Sequence, residues 1–348
     1  MTRRQLLAYI PAGAALRGSL AAAPSRQRID SHTHIHRLAP ELFIALQKGQ
    51  WRCLSICVSR AIGDEPSDLE EMIRSTVEVH RATRGRIAWA TAFDARHFED
   101  RDFASRTIAG LRKGFDQGAI GVKIWKNIGM GIRSRSGAYL LPDNAALTPI
   151  FDAIQKAGKT LIAHLAEPDG AWLPLDQHNP EIAYYSQHPE WHMYGRKGIP
   201  SKDVILEARD RVLERHPNLR VVGCHLGSDE EHLDRLAKRL DTHSNFAVDV
   251  AARVRYLVRG NHDQARQFLV KYQDRVLYGT DFTLGPGEDA EAARQLQQTH
   301  DWDWRFFATR ESLTFRDRQV RGLGLPDRAV RKIFHDNAVR WLPGITSV

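Results

Sequence analysis

The sequence predicts an α/β fold, a closed (β/α)8 (TIM) barrel in a single domain with a long loop after strand 5. Three observations predict it. Apolar runs of strand length recur at intervals that leave room for one helix each, helical patterns fill those intervals, and residues of metal-ligand type stand at the ends of several runs. A barrel gathers its strand ends around one mouth and keeps its active site there.

Strands are expected at 28–34, 52–59, 86–93, 119–125, 159–165, 219–226, 245–251 and 275–281. Reference positions Thr33, Ile56, Ala90, Lys123, Ala163, Cys224, Asp249 and Gly279 are separated by 23, 34, 33, 40, 61, 25 and 30 residues. Most of these gaps suit a strand–helix unit of about 30 residues, the size an eightfold barrel of about 250 residues implies. Helices are expected after Pro66, with Leu69, Met72, Ile73, Thr76 and Val77 on one face, and at Leu147, Ile150, Phe151 and Ile154, stopped by Gly158. A third begins at Ser201, with Val204, Ile205, Ala208 and Val212, and ends at His216-Pro217-Asn218. The 61-residue gap holds an irregular stretch, 168–200, rich in aromatics and histidine, which reads as a lid or binding loop.

Composition narrows the function. Hydrophobic residues make up 42% and charged residues 26%, enough for a large core. No stretch of the body approaches the roughly 18–20 apolar residues of a membrane-spanning helix. The net charge of +8 comes from 50 basic and 42 acidic residues that interleave, as in Arg209-Asp210-Arg211, so no nucleic-acid partner is expected. Cys53, Cys57 and Cys224 are an odd number and do not form a disulfide framework. Cys53 and Cys57, four apart on one strand, lie about 13 Å from each other, too far to bridge. Histidine is the unusual count, 16 in all, and directs attention to metal.

The first 23 residues read as a signal peptide. Thr2-Arg3-Arg4-Gln5-Leu6-Leu7 is a twin-arginine-like start, and a small, apolar run ends in Ala21-Ala22-Ala23. Cleavage near Ala23 removes Arg3, Arg4 and Arg17, takes the net charge from +8 to +5, and implies a periplasmic or secreted product. The alternative is cytoplasmic residence.

On the first strand, His32 and His34 share a face with backbones about 6.6 Å apart, close enough for two imidazoles to meet on one metal. His36 has the same parity but falls past the expected strand end. His164 ends the fifth strand, His225 the sixth and Asp281 the eighth, so four strands bring ligand-type residues to one mouth. Other motifs fall away. His188-Pro189-Glu190-Trp191-His192 is interrupted by proline and has the wrong spacing for a zinc-protease helix, and Gly129-Met130-Gly131 lacks the third glycine of a dinucleotide fingerprint.

The set His32-x-His34, His164, His225 and Asp281, in that order, resembles the metal-binding set of the amidohydrolase superfamily, specifically its amidohydrolase-related branch. The close, Asn337-Ala338-Val339-Arg340-Trp341-Leu342, is similar to the Asn-Ala-x-Arg-Leu ending of that branch. Gly227-Ser228 after His225, and Tyr278-Gly279-Thr280-Asp281 before Phe282, also match, and the resemblance covers 28–345.

The resemblance implies that His32, His34, His164 and Asp281 hold a divalent cation, zinc by the nature of the donors, with His225 either a further ligand or the group that polarises the substrate. Asp281 and His225 are then the catalytic pair, Asp281 taking a proton from water and passing it to the leaving group. Lys123 on the fourth strand has three readings: a carbamate bridging two metals, a substrate-facing ammonium, or a structural ion pair. Trp125, Asn127, Glu167, His192 and Arg253 are candidate substrate contacts, and Arg253 suits a carboxylate. The expected function is a metal-dependent hydrolase that turns metal-activated water on an ester, lactone or amide of a small molecule. The alternatives are a metal-dependent decarboxylase of the same branch and a catalytically silent metal-binding protein. Homo-oligomerisation is left open.

Overall fold

Ile29, Leu54, Ala88, Ile162, Val222 and Leu277 come from six different strands and pack in one interior cluster. The computed structural model describes residues 27–347, so the signal peptide expected over 1–23 lies outside the described residues. Parallel strands β1 (Arg28–His34), β2 (Trp51–Ile56), β3 (Ile87–Ala92), β4 (Gly121–Ile124), β5 (Thr160–Ala163), β6 (Arg220–Gly223) and β7 (Phe246–Asp249) lie side by side in chain order. The eighth strand is in two pieces. β8 (Val276–Leu277) pairs with β7, and β9 (Phe282–Thr283) pairs with β1, so the residues between them close the sheet on itself. Ser31 N donates to Tyr278 O at 2.9 Å across that seam.

Each strand is followed by a helix: α1 (Pro40–Lys48), α2 (Leu69–Ala82), α3 (Phe103–Asp116), α4 (Thr148–Lys156), α5 (Lys202–Arg215), α6 (Leu233–Thr242), α7 (His262–Lys271) and α8 (Asp289–Ala308). Their apolar stripes cover the outside of the barrel, as Ile150, Phe151 and Ile154 do from α4. Ser201 caps α5 by accepting from Val204 N, and Asn261 caps α7 by accepting from Gln264 N. Ala338, Trp341, Leu342 and Ile345 join the interior cluster. Asn337 Nδ2 donates to Gln273 O at 2.7 Å and Val276 O at 2.6 Å, so the Asn-Ala ending is a plug that ties the C-terminus to the start of the eighth strand.

Two departures from regular strand geometry matter to the site. Asp30 pairs with Cys53 but Thr33 with Ser55, a register slip that marks a β-bulge in β1. The slip lets Ile29 face the core while His32, three residues on, faces the mouth. The sixth strand and the first piece of the eighth stop short of the apolar runs, at Gly223 and Leu277. Beyond them His225 (φ 59°) and Asp281 (φ 65°) are left-handed, and a left-handed residue ends the pleat.

The segment after β5 is folded over the mouth in short turns at Asp169–Trp172, Ile182–Tyr185 and Pro189–Trp191. At its base, Asp169 receives Lys202 Nζ and His232 Nε2, each at 2.6 Å. In its middle, Glu181 accepts from Tyr256 Oη at 2.7 Å and Arg255 Nη2 at 2.9 Å. Near its end, Trp191 packs edge-on against Trp125 with centroids 4.9 Å apart. Among the described residues no helix is long and apolar enough to cross a membrane. Cys53, Cys57 and Cys224 are free and buried.

Candidate metal centre

Three histidines at the mouth are oriented by the same device. His32 Nδ1 meets Asp249 Oδ2 at 2.8 Å, His34 Nδ1 meets Ile56 O at 2.8 Å, and His225 Nδ1 meets Ala251 O at 2.7 Å. A carbonyl oxygen only accepts, so Nδ1 of His34 and His225 must carry the proton and Nε2 the lone pair. Those Nε2 atoms turn inward. One ligand atom each from His32, His225 and Asp281 lies within 4.8 Å of the others, and His34 Nε2 is 3.2 Å from Asp281 Oδ1.

The electrostatics leave room for a cation. Burial holds His34 down to about 4 and His225 to about 3, so both rings are neutral at pH 7. Asp281 stays ionised: burial opposes its charge, but His225, His34 and His32 hold it well below the usual carboxylate range. The approach of His34 Nε2 to Asp281 Oδ1 is therefore a contact between two acceptors with no proton between them. A divalent cation satisfies both. Burial and Lys123 push His32 down, yet Asp249 and Cys224 outweigh them and raise it to about 10. Its second proton, on Nε2, faces Asp281 Oδ1 at 3.3 Å and is one that a bound metal displaces.

His164 supports the same fit. Its ring lies edge-on to His225 with centroids 4.3 Å apart, and its Nε2 is buried with no hydrogen-bond partner. Burial, then the charges of His225, Lys123, Lys126 and Arg253, hold it well below 6.5, so it too offers a lone pair. Imidazoles with a carboxylate, the outer nitrogens of His32, His34 and His225 bonded to a carbonyl or a second carboxylate, make a donor set suited to zinc or a similar divalent cation.

The remaining candidates divide. Lys123 Nζ is buried, 3.5 Å from His32 Nε2 and 2.9 Å from Cys224 Sγ. Trp125 lies edge-on to His164, centroids 6.3 Å apart. Glu167 pairs with buried Lys126 and receives Tyr185 Oη at 3.4 Å. Arg253 is buried, bonds Glu230 Oε1 at 2.8 Å, and contributes to the field at His164 and His225. Asn127 and His192 are not brought into the cluster. Asn127 Nδ2 donates to Ser59 O at 3.1 Å, and His192 Nε2 meets Leu173 O within the segment after β5 at 2.9 Å. His36, beside His34, bonds Thr76 Oγ1 at 2.7 Å.

Sequence reasoning missed Asp249 and Lys126. Asp249 Oδ1 accepts from His225 N at 2.8 Å while Oδ2 holds His32, so one carboxylate orients two members of the centre. Burial opposes its charge, but His32 and His225 hold it at about 2. Asp249 ends the seventh strand, so the strand-end rule that finds His164 also reaches it. Lys126 lies among aromatic rings, 4.3 Å from the centroid of Trp191 and 5.0 Å from that of Trp125, and donates to Tyr184 Oη at 3.1 Å. No signal in the sequence distinguishes it from a surface lysine.

The backbone at the centre is strained. Left-handed non-glycine residues cost on the order of 1–3 kcal/mol each, and His225, Leu226, Ser228, Ala252 and Asp281 all adopt that conformation around the mouth. In this conformation His225 N points to Asp249 and Asp281 to the histidines, and those bonds hold the backbone there.

A parallel barrel with convergent imidazoles and a carboxylate at its C-terminal rim defines a barrel protein with a candidate metal-binding mouth. The chain belongs to the amidohydrolase family, whose model, described as Amidohydrolase, matches residues 29–344. Its members are metal-dependent enzymes. Among solved structures the chain is similar to an uncharacterized TIM-barrel protein from Bordetella bronchiseptica, at 16% identity and a TM-score of 0.56 over 92% of this chain and 99% of that one. It is similar to 2,6-dihydroxybenzoate decarboxylase from Rhizobium, at 14% identity and a TM-score of 0.55 over 91% and 98%. It is also similar to a dihydroxybenzoic acid decarboxylase from Polaromonas sp. JS666 with bound manganese and 2-nitroresorcinol, at 12% identity and a TM-score of 0.51 over 91% and 96%. No curated protein matches the chain.

Proposed function

We propose that the protein is a metal-dependent hydrolase that adds water across an ester, lactone or amide bond of a small molecule. The observation that carries the reading is the acceptor-to-acceptor approach of His34 Nε2 and Asp281 Oδ1, 3.2 Å apart, with the lone pair of His225 turned to the same mouth. His32, His34, His164 and Asp281 would hold the cation, with His225 as a further donor. A divalent cation there supplies Lewis acidity, polarising a carbonyl and making water more acidic.

The chain's own groups supply the proton traffic. Asp281 is the one charged member with an open side, its side chain 32% exposed, so a proton released from water is taken at its carboxylate and passed to the leaving group. His225 has its proton fixed on Nδ1 by Ala251 O, which favours a ligand or proton acceptor at Nε2 over a donor to the substrate carbonyl. Arg253 and Lys126 place two buried cations at the mouth, each paired with a glutamate, and these suit a substrate that bears a carboxylate. The lid segment, with Trp191 against Trp125, excludes water from the reacting bond.

Decarboxylation on the same donor set is a second reading, favoured because two of the similar structures are decarboxylases and one holds manganese. One experiment separates the two. A panel of esters, lactones, amides and aryl carboxylates is incubated in 18O-water with and without chelator. Hydrolysis puts one 18O into the acid product and stops with chelator; carbon dioxide release with no 18O in the remaining organic product transfers the assignment to the lyase. We further propose, on Arg3, Arg4 and the run to Ala23, that the chain is exported.

A further inference from the structure

Asp281 owes its place to the break between β8 and β9, and the break is held from one buried carboxylate. Asp30 Oδ1 accepts from Thr280 N at 3.1 Å and from His32 N at 3.2 Å. Asp30 Oδ2 accepts from Thr280 Oγ1 at 2.7 Å and from His300 Nε2 at 2.9 Å. Thr280 Oγ1 gives its only proton to Asp30 and accepts from Phe282 N at 3.1 Å, so the residues on both sides of Asp281 hang from the same group. Asp30 thus sits one residue from the bend at Asp281 and two residues from His32.

The last of those donors comes from outside the barrel. His300 lies on α8, is 2% exposed, and reaches inward with its ring stacked on Trp51 at 3.7 Å and an interplanar angle of 18°. Asp30 is fully buried, and a buried carboxylate keeps one geometry only when its lone pairs are occupied. Without the His300 proton, Asp30 Oδ2 has Thr280 Oγ1 alone among its side-chain donors. The carboxylate then keeps its bonds to Thr280 and His32 but loses the one that anchors Oδ2 to α8, so the bend is held less firmly.

We propose that His300 is a positioning residue of the metal centre, acting through Asp30 and Thr280 to fix the carboxylate of Asp281 against His32 and His34. It touches neither metal nor substrate. The inference rests on the metal-centre reading but not on which reaction the centre performs.

The test uses the purified full chain loaded with cobalt(II), whose visible absorption reports ligand geometry. His300→Phe keeps the stack on Trp51 and removes the donor; His300→Gln keeps a donor at similar reach; Thr280→Val removes the hydroxyl alone. The proposal expects His300→Phe and Thr280→Val each to alter the cobalt spectrum and to speed loss of cobalt to a chelator by about tenfold, the size of effect outer ligand-orienting groups have. It expects His300→Gln to stay within about threefold of the parent, and the His300→Phe, Thr280→Val pair to be no worse than the poorer single variant, as members of one chain are non-additive. If His300→Phe fails to fold, Thr280→Val alone carries the comparison. Parent-like spectra and release rates in the donor-less variants overturn the relay while leaving the centre standing. A parent chain that takes up no cobalt overturns the centre and the relay together.

Discussion

His32 on β1 and Asp249 on β7, 217 residues apart in the chain and separated in the barrel by the eighth strand, meet with Nδ1 and Oδ2 at 2.8 Å. The pair fixes which nitrogen of His32 is offered to a metal, and the other oxygen of the same carboxylate holds the backbone of His225. Asp249→Asn cannot satisfy both, because an amide presents one acceptor and one donor where two acceptors are needed. Metal affinity, measured by competition with a chelator, is expected to fall about 10- to 100-fold while the far-ultraviolet dichroism is unchanged.

Asp303, buried against the closing seam, gives a pH signature away from the metal. Burial raises its carboxyl to about 7, opposed by the Tyr278 hydroxyl and reinforced by Asp30. The folded protein binds a proton there that the unfolded chain, near 3.8, has released, so stability falls as pH rises from about 4 to about 7 and is flat above. The slope is on the order of 1 kcal/mol per pH unit for this group. Asp303→Asn keeps an acceptor for Tyr278 Oη, 2.9 Å away in the parent. The variant is expected to melt higher than the parent at pH 8 and close to it at pH 4.

The segment 168–200, proposed as a lid, meets Lys126 and Glu167, a buried ion pair with Tyr184 and Tyr185 at its edges. Glu167→Gln leaves the ammonium of Lys126 buried without a counter-charge, a change that costs roughly 3–5 kcal/mol for a buried pair. The melting temperature is expected to drop by several degrees, and limited proteolysis is expected to cut first within 168–200. Cleavage elsewhere, or none, counts against this segment as a lid docked by that pair.

The export proposal is tested by expressing the full chain in a bacterium with a twin-arginine system. The mature mass is expected to begin near Pro24, and Arg3→Lys with Arg4→Lys is expected to leave uncleaved protein in the cytoplasm.

The candidate metal-ligand residues were legible because a barrel brings strand ends together whatever the intervening chain does. His164, His225 and Asp281 could therefore be placed beside His32 and His34 from spacing alone. What spacing could not reveal is how each ring is turned. The tautomers of His34 and His225 depend on carbonyls of Ile56 and Ala251, which belong to neighbouring strands or the turns after them. Strand 6 and the first piece of strand 8 end before their apolar runs do because His225 and Asp281 sit in a conformation that local preference disfavours and that tertiary bonds from Asp249 and Asp30 to the adjoining backbone hold. The bulge in β1 was hidden for a similar reason, since the His-x-His period is regular and only the pairing with β2 shows the slip. Lys126 and Glu167 pair across the turns that follow strands 4 and 5, and nothing in either local sequence announces the partner.

The central claim is that His32, His34, His164 and Asp281, with His225 beside them, hold a catalytic divalent cation. Metal content per chain, measured by elemental mass spectrometry on protein dialysed against zinc or manganese, tests it most directly when the parent is compared with the His32→Ala, His34→Ala double variant. The account predicts at least one tightly held ion per parent chain, and its loss, together with turnover, in a double variant that remains folded. A double variant that keeps the same stoichiometry and the same activity would contradict it.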